Sequence, residues 1–110
     1  MSTTGEREMG KDKNKFRASK KWKDWRIVIY HKDMGKDYIT GSKLYKGYHL
    51  HHLDLREKNY TNLDDENRFL SLNKQSHDLV HWAYQYWIKD EDFLKRLEQV
   101  LKWMKEYSND

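Results

Sequence analysis

All five tryptophans and all eight tyrosines of this 110-residue chain lie between residues 22 and 107. Residues 1–20 hold almost no apolar side chain. That division limits what can fold. The packed part is one domain of roughly 90 residues, and a domain so small buries only about 60–65% of its unfolded surface. Large rings suit a thin core, because each hides about 150–250 Å². Charged residues make up 36% of the chain and the mean hydropathy is −1.23, so most of the remaining length must be solvated.

Residues 1–18 read as a disordered basic arm, since low hydrophobicity and dense charge cannot offset ordering entropy. From Lys11 to Lys23 there are seven basic side chains against the single acid Asp12. The arm can lie along phosphates; a solubilising tail is the plain alternative. A net charge of +4 and a pI of about 9.2 favour a polyanionic partner without requiring one. The chain has no cysteine, which excludes disulfides and thiolate zinc sites and makes a cytoplasmic setting the simplest expectation. No apolar run approaches a membrane span and no secretory pattern follows Met1, so no membrane partner is expected.

The segment KKWKDWRIVIYHKDM, residues 20–34, fits two readings. Its β-branched centre suits a strand. Helical spacing also fits, with Trp22, Arg26, Ile29 and Tyr30 on one face and Gly35 as the stop. Thr40-Gly41-Ser42 signals a turn. Tyr48–Leu53 alternates as a strand, with Tyr48, Leu50 and His52 on one side and His49, His51 and Leu53 on the other. A polar loop, Asp54–Glu66, leads to a second short strand at Arg68–Leu72. Ser76 is placed to cap a helix from His77 to about Ile88. A last helix, EDFLKRLEQVLKWMKEY, repeats Phe93, Leu94, Leu97, Val100, Leu101 and Met104 at helical spacing and reads as a core-packing element.

Five of the six histidines fall between Tyr48 and Tyr84. His77 and His81 are one helical turn apart, so their rings share a face and can share a cation. Surface histidines also occur at that spacing. The neighbours His51 and His52 point to opposite sides of a strand, so one can complete a metal site while the other faces a substrate. A pair of hydrogen-bonded, partly buried histidines is the bland alternative. Asn67 offers a carbonyl that can hold the distal nitrogen of a neutral imidazole base, or it is simply a turn residue after Asp64-Asp65-Glu66.

Together these residues form a strand with His-His, a polar loop, an Asn before a second strand, and a helix opening on His. In that order the chain resembles the HNH endonucleases, over roughly residues 20–84. His52, Asn67 and His77 match the three letters, and NRFLSLNKQSHDLVH matches the second half of the motif. The upstream run WKDWRIVIYHKDMGKDYITG resembles the family's preceding helix and Thr-Gly turn, which decides residues 20–34 in favour of a helix. Many members carry four cysteines on a structural zinc. The corresponding positions here are Asp37, Thr40, Asn73 and Ser76, so aromatic packing and hydrogen bonds between these polar replacements must hold the scaffold.

The resemblance implies an α+β fold with a ββα-metal (His-Me finger) core, an N-terminal helix and a C-terminal amphipathic helix, occupying residues 19–108. It implies a metal-dependent DNA endonuclease of low sequence specificity. His51, His77 and His81 would bind one divalent cation (zinc, nickel, manganese or magnesium). His52 would be the general base and Asn67 its orienting partner. Arg56 and Lys20, Lys21 and Lys23 would contact phosphates. Small proteins of this kind are frequent in bacteriophages, where some are implied to work with the packaging terminase, which makes a terminase an expected partner by analogy. The alternative is a non-catalytic module that grips nucleic acid or protein on a degenerate HNH fold.

Overall fold

The computed structural model describes residues 12–108. They form four helices and one two-stranded antiparallel sheet, a mixed α+β arrangement. The chain divides at Ser76–His77 into two compact units, inside the span expected as one domain.

In the first unit, residues 12–17 are helical (α1), not disordered as expected; residues 1–11 of the expected arm lie outside the described residues. The physical reason is Phe16, whose ring lies 5.4 Å from Trp22 and 5.9 Å from Tyr60 and so gains apolar burial. α2 follows at Lys20–Lys32, as the helical reading required. Ser19 caps it, its hydroxyl accepting from the Trp22 N–H. Trp22 and Ile29, two turns apart, are the buried positions. The helix ends where Met34 and Gly35 take positive φ, and the Gly35 N–H closes back onto the Tyr30 carbonyl at 2.9 Å.

β1 (His49–His52) pairs with β2 (Phe69–Leu72), with His51 opposite Leu70 and His52 opposite Phe69. Alternation sends Leu50 and Phe69 into one cluster with Trp22 and Ile29, packed around by Phe16, Trp25 and Leu63. The outer edge of β2 is covered by the end of α2 and the segment that follows it. Lys32 donates to the Phe69 carbonyl, the Ser71 N–H donates to Asp33, and the Tyr38 N–H donates to the Ser71 carbonyl. An edge that open pairing could exploit is thereby closed.

Asp37, 1% exposed, knots the unit together. One carboxylate oxygen accepts the N–H groups of Ile39 and Thr40 at 2.8 and 2.9 Å, and the other accepts that of Asn73 at 2.8 Å. Ser76 adds its hydroxyl. The Asn73 side chain accepts from the Tyr45 N–H and donates to the Lys43 carbonyl. Asp37, Thr40, Asn73 and Ser76 are therefore joined by hydrogen bonds, as the absence of cysteine required. Burial acts to raise the Asp37 carboxyl, but the bonds from Thr40, Ser76, Asn73 and Ile39 outweigh it and hold it below the ordinary carboxylate range.

α3 runs from Lys74 to Trp87, starting three residues before the expected His77. Ser76 is thus no cap. It lies inside the first turn, buried against Asp37, because that carboxylate competes for its hydroxyl. In the second unit, α4 spans Phe93–Tyr107. Phe93 meets Trp82 and Tyr86 of α3 at 6.0 and 5.6 Å. Beyond that first turn α4 buries none of its side chains, contrary to its expected role in a core.

Candidate metal centre

β1 and α3 each contribute imidazoles through their own periodicity. His51 alternates away from the Leu50–Phe69 cluster because its neighbour His52 faces towards it. His77 and His81 stand one turn apart on α3, with ring centroids at 4.5 Å and their Nε2 atoms at 3.2 Å. One nitrogen from each of His51, His77 and His81 lies within 4.8 Å of the others, and all three residues are half-buried.

That donor set fits a divalent cation. Nitrogens about 2.0–2.1 Å from one ion sit roughly 3.0–3.4 Å apart, a range that includes the His77–His81 separation. Three imidazole ligands would leave further coordination positions open on such an ion. Imidazole suits zinc, nickel and cobalt; magnesium prefers oxygen. The Asp78 carboxylate lies 3.7 Å from His77 Nδ1.

His52 occupies the other face. Its ring lies between Trp22 and Tyr60, nearly parallel to both, at 5.5 and 4.5 Å, and tilts against Phe69 at 4.8 Å. His52 Nε2 is 3.0 Å from the Tyr60 carbonyl. A carbonyl only accepts, so Nε2 carries the proton and Nδ1 the lone pair. Burial lowers the pKa of this ring most. The Tyr60 bond opposes that, the nearby Lys13 and Arg17 add to it, and Asp54 opposes it; the net is a fall below the ordinary histidine value.

Asn67 does not hold His52, and the orienting bond expected of it comes from Tyr60. Asn67 sits in a short 3-10 turn, Glu66–Arg68, exposed, with its N–H on Asp65. Asp65 caps that turn, its carboxylate accepting the Asn67 N–H, and this local bond is the contact Asn67 makes. No letter in the sequence announces the Tyr60 carbonyl, because any residue has one; the stacking role of Trp22 was hidden for a similar reason, since the same tryptophan reads as ordinary core.

Arg56 is not an open phosphate clamp either. Its guanidinium forks onto Asp54 at 2.9 and 2.8 Å, and Asn59 also donates to that carboxylate. These bonds, first of all those from Arg56, keep the Asp54 carboxyl far below its usual range. Lys20 pairs with Asp24 at 2.6 Å, one turn along α2, while Lys21 and Lys23 are exposed on the same helix. Among the described residues no helix is long and apolar enough to cross a membrane. No family model, curated protein or solved structure matches this chain.

Proposed function

We propose that the chain is a metal-dependent endonuclease of the ββα-metal type, hydrolysing DNA phosphodiester bonds with low sequence specificity. The observation that carries this reading is the convergence of His51, His77 and His81 nitrogens within 4.8 Å; the neighbouring imidazole His52, on the opposite face of β1, has its tautomer fixed by the Tyr60 carbonyl. β1, β2 and the start of α3 supply the strand–strand–helix frame in the order the resemblance implies. A divalent cation held by the three rings supplies Lewis-acid stabilisation of charge on a phosphoryl oxygen and on the leaving oxygen.

The chain's own residues do the rest. His52 takes a proton from water at Nδ1, and its Nε2–H bond to the Tyr60 carbonyl supports the imidazolium that results. Trp22 and Tyr60 fix the ring plane, so the lone pair keeps one direction. The lowered pKa keeps the ring unprotonated, and so able to accept, at neutral pH. Lys21 and Lys23 supply non-specific phosphate attraction, and exposed pairs such as Lys20–Asp24 are weak enough to exchange for a phosphate. The cytoplasm of a bacterial or infected cell, and a terminase as partner, follow from the family likeness alone.

A second reading rests on the His52 ring. Aromatic rings cover both its faces, which also suits a structural histidine in a non-catalytic nucleic-acid- or protein-binding module. Plasmid nicking decides between the two. Supercoiled DNA is incubated with the protein and Mg²⁺, Mn²⁺, Ni²⁺ or Zn²⁺, beside His52→Ala and His77→Ala. The nuclease reading requires nicking by the unsubstituted chain only, with metal binding retained in His52→Ala and weakened in His77→Ala. DNA binding without cleavage under every ion selects the binding module.

A further inference from the structure

α4 is a 15-residue helix with no buried side chain. Isolated helices of that length are marginal in water, so packing must stabilise it. Its apolar residues do not scatter. Leu94, Leu97, Leu101 and Met104 follow the 3-4-3 spacing of a coiled-coil seam, and Phe93, Val100 and Tyr107 widen the same stripe. Leu94 is 46%, Leu101 55% and Met104 58% exposed. Among the described residues the ring contacts between α4 and α3 are made by Phe93. We propose that this seam is the contact surface for a second copy of the chain, with the two α4 helices antiparallel about a two-fold axis near Gln99.

Three features select a second copy in that orientation. The seam is symmetric: reversing it places Leu94 against Met104 and Leu97 against Leu101 of the second copy, pairing like with like around one centre, as a two-fold contact demands. The helix dipoles favour that orientation, because antiparallel packing sets the N-terminus of each α4 beside the C-terminus of the other. The charged side chains of α4 pair within one copy, Asp90 with Arg96, Asp92 with Lys95 and Lys102 with Glu98, so they do not oppose it. The area also suffices. The exposed seam residues hold roughly 100 Å² each, giving about 1,000 Å² over two copies, and Trp82 and Tyr86 beside Phe93 bring the total to about 1,200 Å², the lower edge of specific interfaces. That size fits a reversible dimer.

The chain has no cysteine, so single cysteines report the geometry cleanly. In the proposed register Val100 of each copy flanks the axis, while Leu94 of one copy lies about 15 Å along the axis from Leu94 of the other. Under mild oxidation Val100→Cys should therefore cross-link and Leu94→Cys should not, whereas a mixture of Leu94→Cys and Met104→Cys should give the mixed pair. Sedimentation of the unsubstituted full chain should move from 13.6 kDa towards twice that mass between micromolar and near-millimolar concentration. Leu101→Glu, which buries a charge in the seam, should weaken association about a hundredfold. Its helical circular dichroism at matched low concentration separates lost association from lost folding. A chain that stays at monomer mass throughout overturns the proposal and leaves the seam to another protein. Cross-linking of Leu94→Cys without Val100→Cys overturns the antiparallel arrangement. All these readouts are physical, so they stand whether or not the chain cuts DNA.

Discussion

Asp37→Asn tests whether hydrogen bonds tie the turn after α2 to the start of α3. The carboxylate is almost fully buried and accepts three backbone N–H groups, at 2.8, 2.9 and 2.8 Å, plus the Ser76 hydroxyl. An asparagine has nearly the same shape but carries one oxygen and one NH₂. Its best orientation keeps the oxygen on Ile39 and Thr40 and turns the NH₂ towards the Asn73 N–H, donor against donor. Ser76 can rotate to accept; the Asn73 backbone cannot. One charge-assisted bond is lost, worth about 1.5–3 kcal/mol, and a buried N–H is left unpaired at about 1–3 kcal/mol. The expected loss is therefore about 3–5 kcal/mol, much of the stability of so small a fold. Urea unfolding followed by tryptophan fluorescence measures it, as a lower midpoint with an unchanged slope. The pH dependence gives a second check. A carboxyl held below its unfolded value contributes stability that is complete above the unfolded pKa and is lost as pH falls through the folded one. The unsubstituted chain should lose stability over that acid window and Asp37→Asn should lack that part of the loss. A change under about 1 kcal/mol would refute the reasoning, because it would mean that this knot does not carry the junction.

Phe69→Ala removes a ring that is 1% exposed and touches Trp22, Trp25 and His52, so it should cost about 3–5 kcal/mol in the same unfolding assay. Gly35→Ala places a Cβ at positive φ, 2.8 Å from the Tyr30 hydroxyl; the half-exposed Tyr30 can move, so a loss of about 1–2 kcal/mol is expected, read as a lower melting temperature. His52, with its pKa lowered chiefly by burial, binds fewer protons folded than unfolded, so its contribution to stability should fall as pH drops below 6.5 and level off below the folded pKa. NMR titration of the His52 ring without metal checks this, and a midpoint above 6.5 would contradict it. Tyr60→Phe keeps the carbonyl and the stacking ring and should leave nicking unchanged, whereas Tyr60→Gly removes the ring over His52 and loosens the loop, and should lower nicking by about tenfold or more.

The elements were legible where periodicity and stop signals agree. Alternation located His49–His52 and Phe69–Leu72 within about a residue at each end, and Gly35 marked where α2 stops. The i, i+4 spacing of His77 and His81 brought two rings onto one helix face, and the opposed sides of His51 and His52 followed from the strand period. Local signals misled where a distant group competed. Ser76 has the chemistry of a cap, but the Asp37 carboxylate claims it and the helix starts at Lys74. The polar start of the chain reads as disordered, yet Phe16 finds Trp22 and Tyr60.

The order of letters alone determined which side chains can bind an ion, that no thiolate takes part, and that β1 shows its histidines to two sides, because these depend on residue identity and on the repeat of a single element. Tertiary structure alone decided which group orients His52, where Arg56 spends its charge, and that the apolar stripe of α4 stays uncovered. Each of these depends on what lies across a gap in space, and a backbone carbonyl or an absent neighbour leaves no mark in the sequence.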